Sequence, residues 1–250
     1  MKRLFNAFFL ILFLVGNLWA APQRFSNGVT NVISSATLGQ YLALDPTVVH
    51  EFFDDFDIYL ASDWTLTTTE AGAGSATEAV GDEDGGVILI TNAAGNDDHD
   101  FLQSPDEIFL LESGKKAWFR SRLKISDATQ SDFIVGLQIR DTTPLAVTDG
   151  VFFRKDDGDT NLDFIVQESA SAITTTSAVT TVANDTYLTV GWFYDGRATI
   201  SYFVNNAKLG TVTTTNVLPS TELTVSWGLQ NGEAVAKTMN MDYLFVAKER

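Results

Sequence analysis

Apolar and polar residues alternate with a period of two along most of the chain beyond residue 48. That is the pattern of strands with one buried face. It is clearest between residues 187 and 213. Tyr187–Tyr194 places Leu188, Val190, Trp192 and Tyr194 on one face. Asp195-Gly196 follows and reads as a two-residue type I′ hairpin turn, which requires positive φ at both positions. Ile200, Tyr202 and Val204 carry the apolar face onward, and Asn205-Asn206 turns the chain again. A three-stranded stripe of this kind is stable only when a second sheet covers it.

The remaining elements supply that cover. Val48–Tyr59 reads as a first strand, with Phe52, Phe53 and Phe56 set among acids. An alternative is an acidic loop that holds a cation through Asp54, Asp55 or Asp57. Trp64–Thr68, Val87–Thr91, Phe101–Gln103 and Ile108–Leu111 read as short strands, and Thr69–Gly86 and Asn92–Asp100 as loops. Lys115–Ile125 has two unlike faces: Ala117, Phe119, Leu123 and Ile125 on one, Lys116, Trp118, Arg120, Arg122 and Lys124 on the other. Ser131–Arg140 is expected to return antiparallel to it, with Phe133, Val135, Leu137 and Ile139 buried. Val151–Arg154 and Leu162–Gln167 form a hairpin across Asp156–Asn161. Ser169–Asp185 reads as an edge strand plus loops. Leu223–Gln230 buries Leu223, Val225, Trp227 and Leu229, and Met239–Ala247 closes the fold. No helix and no fixed-period repeat is expected after Ala21. The prediction is an all-β fold: one antiparallel two-sheet β-sandwich of the jelly-roll type over residues 48–250.

Two segments precede it. Residues 1–21 resemble a signal peptide, with Lys2 and Arg3 ahead of the unbroken apolar run Ala7–Val15 and small residues at Gly16, Ala20 and Ala21. The competing reading is an extended reading frame with its true start near Pro22. Residues 22–47 are small and polar and read as an extended arm.

Composition narrows the chemistry. Net charge is −16, which excludes sequence-independent nucleic-acid binding, because that needs Lys and Arg against phosphates. The absence of cysteine excludes disulfides, zinc–thiolate sites and thiol nucleophiles. Glycosidases built on sandwiches place carboxylates on one strand face as Glu-x-Asp-x-x-Glu, a pattern this chain lacks. His50 and His99 have no partners suited to a triad or a histidine metal site, and read as surface residues. No cofactor is expected, calcium apart. Asp157, Asp159, Asn161 and Glu168 mimic positions of a calcium loop, but Leu162 stands where the turn needs glycine. Asp157 and Asp159 therefore remain candidates only for a looser calcium site. The stripe Lys115–Lys124 holds five of the 16 basic residues. Cross-strand charge pairing explains it, with Asp132 and Asp163 as offered partners. The alternatives are a docking stripe for an acidic neighbour or a sugar platform at Trp118.

KKAWFRSRLKISDATQSDFIVGLQI, GVFFRKDDGDTNLDFIVQ, TYLTVGWFYDGRATISYFVNNAKL and MNMDYLFVAKER, in that order across Lys115–Arg250, resemble concanavalin-A-like or laminin-G-like sandwich domains. RFSNGVTNV, LDPTVVHEFFDDFDIY, DWTLT, GDEDGGVILITN and NGEAVAKTMNMDYLFVAKER extend a resemblance to uncharacterised virion structural proteins of marine tailed bacteriophages. That resemblance implies a virion location, no enzyme activity, and a structural or decoration role. It implies attachment through the arm and homo- or hetero-oligomeric contacts with other virion proteins. No site residue is carried over. The alternative is an exported, secreted or periplasmic carbohydrate-binding module, with a glycan as partner.

Overall fold

The structure is a computed structural model that describes residues 47–169 and 172–250. The signal-like segment 1–21 and all of the arm 22–47 except Thr47 lie outside the described residues. Fifteen strands account for the described architecture: β1 Val49–Asp54, β2 Thr65–Thr69, β3 Thr77–Val80, β4 Ile88–Thr91, β5 His99–Gln103, β6 Ala117–Ile125, β7 Ser131–Gln138, β8 Gly150–Lys155, β9 Asn161–Glu168, β10 Ala172–Thr181, β11 Leu188–Tyr194, β12 Thr199–Val204, β13 Ala207–Thr213, β14 Thr224–Asn231 and β15 Thr238–Glu249. The helical elements among the described residues are single 3-10 turns at Ala61–Asp63 and Pro144–Ala146.

The strands form two antiparallel sheets. One runs β13-β12-β11-β6-β15-β4-β3, with β1 also on β15, and the other runs β10-β9-β8-β7-β14-β5-β2. β15 is long enough that β4 pairs with Thr238–Met241 and β1 with Leu244–Glu249 along the same edge. The inner faces supply one core. Trp192 stacks on Phe119 at 5.9 Å between ring centroids, and Phe164 of the other sheet meets Tyr202 at 5.1 Å. Trp227 packs edge-on to Trp64 at 5.8 Å. The expected apolar faces of β6, β7, β11, β12 and β14 all point into this core, because period-two alternation fixes a strand's faces once one face is buried.

Pairing departs from expectation in three places. β6 and β7 do not form a hairpin: β6 lies between β11 and β15, and β7 between β8 and β14. The linker Ser126–Gln130 passes from sheet to sheet, with Ala128 buried and the Asp127 carboxylate accepting the Thr129 and Gln130 N–H groups. The turn after β11 is wider than two residues. Asp195 accepts from the N–H groups of Arg197, Ala198 and Thr199, so its side chain organises the loop and only Gly196 takes positive φ. The two-residue geometry with positive φ at both positions falls instead at Asn205 (φ 47°) and Asn206 (φ 67°). Finally, the loop expected at Thr69–Gly86 contains β3, and Ile108–Leu111 contributes one bridge, Phe109 to Leu223, instead of a strand.

Candidate functional site

The outer face of the seven-stranded sheet is where the chain departs from a simple half-wet sheet. Its cross-strand register gives one row reading Phe101, Gly228, Ile134, Arg154 and Asp163, and the next reading Gln103, Ser226, Gly136, Phe152 and Ile165. Glycines matter in both rows. A Cβ on Gly228 would stand 2.6 Å from the Phe101 ring, and one on Gly136 would stand 2.5 Å from Phe152 Cα. Their absence lets the two aromatic residues lie against the sheet.

The segment Ile139–Asp149 folds back over this face. Ile139, Leu145 and Val147 pack with Phe101, Ile134, Phe152 and Ile165 into a second, outer core. Polar side chains from the sheet hold the segment by its backbone. Gln138 Nε2 donates to the Pro144 carbonyl at 3.1 Å, Gln167 Nε2 donates to the Val147 carbonyl, and Arg154 Nη1 donates to the Leu145 carbonyl at 3.3 Å. Gln103 uses both ends of its amide: Oε1 accepts from the Asp141 N–H at 3.0 Å and Nε2 donates to the Ile139 carbonyl at 3.2 Å. A buried amide whose loss would strand a backbone carbonyl is a costly anchor to remove.

Beside the start of β5 the segment leaves a pocket of about 220 Å³, lined by His99, Phe101, Gln230 and Thr142–Ala146. The His99 ring lies 5.4 Å from that of Phe101, and His99 Nδ1 is 3.0 Å from the Asp97 carbonyl. Gln230 Nε2 donates to Asp97 at 3.3 Å. The pocket therefore sets amide, imidazole and hydroxyl groups over a buried aromatic residue, an apolar lining with a few polar groups as in small-ligand sites. Beside it Asp132 accepts from the Asp157 N–H at 2.8 Å, and burial raises its pKa. Asp156 holds the Arg154 guanidinium with two bonds of 2.6 and 2.7 Å, which raises the arginine's pKa.

The candidates read from the sequence lie elsewhere. Trp118 is half-buried on the outer face of the eight-stranded sheet, its ring 5.5 Å from that of Phe193. Asp157 donates its N–H to Asp132, and Asp159 spends its carboxylate on the N–H and amide of Asn161. Asp54 likewise caps the Phe56 N–H at 2.9 Å. Among the described residues no three acidic or histidine side chains come together to hold a metal. The basic stripe is charge-paired, but not with Asp132 and Asp163, which belong to the other sheet. Lys124 pairs with Glu83 at 2.9 Å, Arg122 with Asp242, and Lys116 with Glu249 at 3.9 Å.

One carboxylate has no such partner. Asp100 on β5 is fully buried, and neither oxygen has a hydrogen-bond donor in good geometry. The Thr68 hydroxyl approaches without completing a bond. Burial, then repulsion from Glu78, Glu70 and Asp98, pushes the Asp100 pKa up to about 7.

No protein-family model and no curated protein sequence matches the chain. Its fold does match solved structures. The endo-1,3-β-glucanase of Streptomyces sioyaensis superposes with a TM-score of 0.58 at 14% identity, covering 83% of this chain and 99% of that one. The endo-β-1,4-glucuronan lyase of Trichoderma reesei gives 0.54 at 12% identity, over 78% and 94%. Peanut lectin gives 0.51 at 11% identity, over 80% and 97%. These neighbours overturn the expectation that the chain has no enzyme activity. A glucanase and a lyase both stand on this fold, so the absence of one carboxylate spacing does not decide its chemistry. At these identities the likeness establishes the architecture: the chain is a concanavalin-A-like, jelly-roll β-sandwich.

Proposed function

We propose that this chain is a carbohydrate-recognising sandwich carried on a bacteriophage particle. The observation that carries the first half is the pocket on the outer face of the seven-stranded sheet. There the half-buried His99 ring, backed by the buried Phe101, faces the apolar side of a sugar, while Gln230, Thr142 and Thr143 offer hydrogen bonds to its hydroxyls. The solved neighbours named for glucan, glucuronan and lectin function support the same reading. The acidic surface, at net charge −16, favours neutral over anionic glycans. The second half rests on the sequence resemblance to virion proteins. On that reading residues 22–47 attach the sandwich to neighbouring virion proteins.

A glycan array probed with the whole chain tests the binding. At least one neutral glycan should be retained, and Gln230→Ala should weaken it by about tenfold, the cost of one lost hydrogen-bonding group in a small site. An array with no retained glycan rejects carbohydrate recognition. Mass spectrometry of purified particles tests the location independently, and absence of the chain from the particles rejects it.

A further inference from the structure

Resting on the carbohydrate reading, we infer that the pocket takes the end of a glycan chain and not its interior. The argument begins with what lies across the sheet. A polysaccharide bound along its length needs an open groove over several strands. Here the way from β5 and β14 toward β7, β8 and β9 is filled by the segment Ile139–Asp149. Leu145 and Val147 are packed onto Ile134, Phe152 and Ile165. Pro144 is buried beside them, its carbonyl held by Gln138.

The obstruction is fixed at many points. Gln103, Gln138, Gln167 and Arg154 bind the backbone at Ile139, Asp141, Pro144, Leu145 and Val147. The segment also braces itself: Asp141 Oδ1 accepts from the N–H and the hydroxyl of Thr143, both at 2.7 Å. At its far end the Asp149 carboxylate accepts from the Ser169 N–H at 2.9 Å. Its displacement would expose the outer apolar cluster and leave several buried amides without partners, so it is wall and not lid. The remaining space, about 220 Å³, falls below the roughly 300–1,000 Å³ of sites for drug-sized ligands. It has room for one ring-sized group, with Thr142–Ala146 as the end wall. A chain entering from the β5–β2 side terminates there.

The test compares linear with cyclic glycans by isothermal titration. Linear β-1,3-gluco-oligosaccharides and malto-oligosaccharides are set against a cyclic β-glucan and a cyclodextrin. Linear chains should bind with an affinity per chain end that does not change with length, and the cyclic forms should bind at least about tenfold more weakly. Ala146→Trp, at an exposed position of the end wall, should reduce linear binding by about tenfold or more by filling the pocket. Replacing Thr142–Thr148 by two glycines should bring linear and cyclic affinities within about twofold of each other. The Ala146→Trp arm keeps the test decisive if the shortened chain does not fold. Equal binding of cyclic and linear forms by the unaltered chain overturns the inference while leaving carbohydrate recognition standing. Linear binding untouched by Ala146→Trp also overturns it, because the site is then elsewhere. A panel on which nothing binds removes the function and the inference together.

Discussion

The two sheets of the sandwich treat their outward faces in opposite ways. On the eight-stranded sheet the outward basic side chains of β6 stay at the water boundary and pair with Asn206, Asp242 and Glu83. Tyr187 lies between Arg122, 3.8 Å from its ring centroid, and Lys124, 4.7 Å away, while its hydroxyl and Lys124 both bind Glu83. On the seven-stranded sheet Phe101, Ile134, Phe152 and Ile165, which point outward from β5, β7, β8 and β9, are buried under a loop held by glutamines. The first arrangement makes many weak, adjustable contacts, each of little net worth in water. The second is dry and fixed, and only a dry, fixed surface can define a pocket of set shape. Alternation alone places residues on faces. What then covers a face decides whether it is scaffold or site.

Mutations at matched outward positions should expose that difference. Phe152→Ala should have the largest effect, a loss of about 3–5 kcal/mol in urea denaturation, because the ring is fully buried between sheet and loop. A loss near 1 kcal/mol would mean the loop does not cover the face. Gln138→Ala should cost about 1–3 kcal/mol, since the Pro144 carbonyl would lose its donor in a buried place.

Titration separates the regions differently. Asp100, beneath the dry face, has a folded pKa raised to about 7. Its contribution is complete below the unfolded value and is lost as pH rises through neutrality. Glu83, on the wet face, is held low by the Tyr187 hydroxyl and then by Lys124. Its contribution is present above the unfolded value and is lost as pH falls through the depressed one. Melting temperatures measured from pH 4 to 9 should therefore decline between about pH 4 and about pH 7 and level off above, and Asp100→Asn should flatten that decline. A decline unchanged in Asp100→Asn would assign it to another group. The smallest effect belongs to Lys124→Met, under about 1 kcal/mol and smaller still at about 1 M salt. A larger, salt-independent loss would make the charged face as structural as the covered one.

The sequence makes the inward faces legible and leaves the partners of each strand open. Leu188, Val190, Trp192 and Tyr194 announce a buried side wherever β11 sits. Nothing in Lys115–Arg140 says that its two strands enter different sheets, because sheet membership is set by contacts with β11, β14 and β15, far away in the chain. The site was less legible. Its lining comes from residues 99–101, 142–146 and 230, none adjacent to a recognisable motif. His99 reads as a surface histidine because nothing local shows that Thr142–Ala146 will close over it. One signal was present. SDFIVGLQ and GVFFRK carry apolar residues at consecutive positions, Ile134 beside Phe133 and Phe152 beside Phe153, and such runs mark strands buried on both faces. They foretell a cover for that sheet without naming the segment that provides it.

The placement of β15 has a consequence for how the protein is made. This strand, the last of the sandwich to leave the ribosome, joins β6 on one side to β4 and β1 on the other. Until it arrives, the strands on its two sides have no common partner, and the sheet waits in separate pieces. About 200 residues separate Val49 from Glu249, roughly 10–40 s of synthesis at typical rates of about 5–20 residues per second. For that interval the strand edges that β15 will cover have no partner. Completion of the eight-stranded sheet is thereby deferred until the end of the sandwich has been made, while the seven-stranded sheet has all its strands once β14 is out.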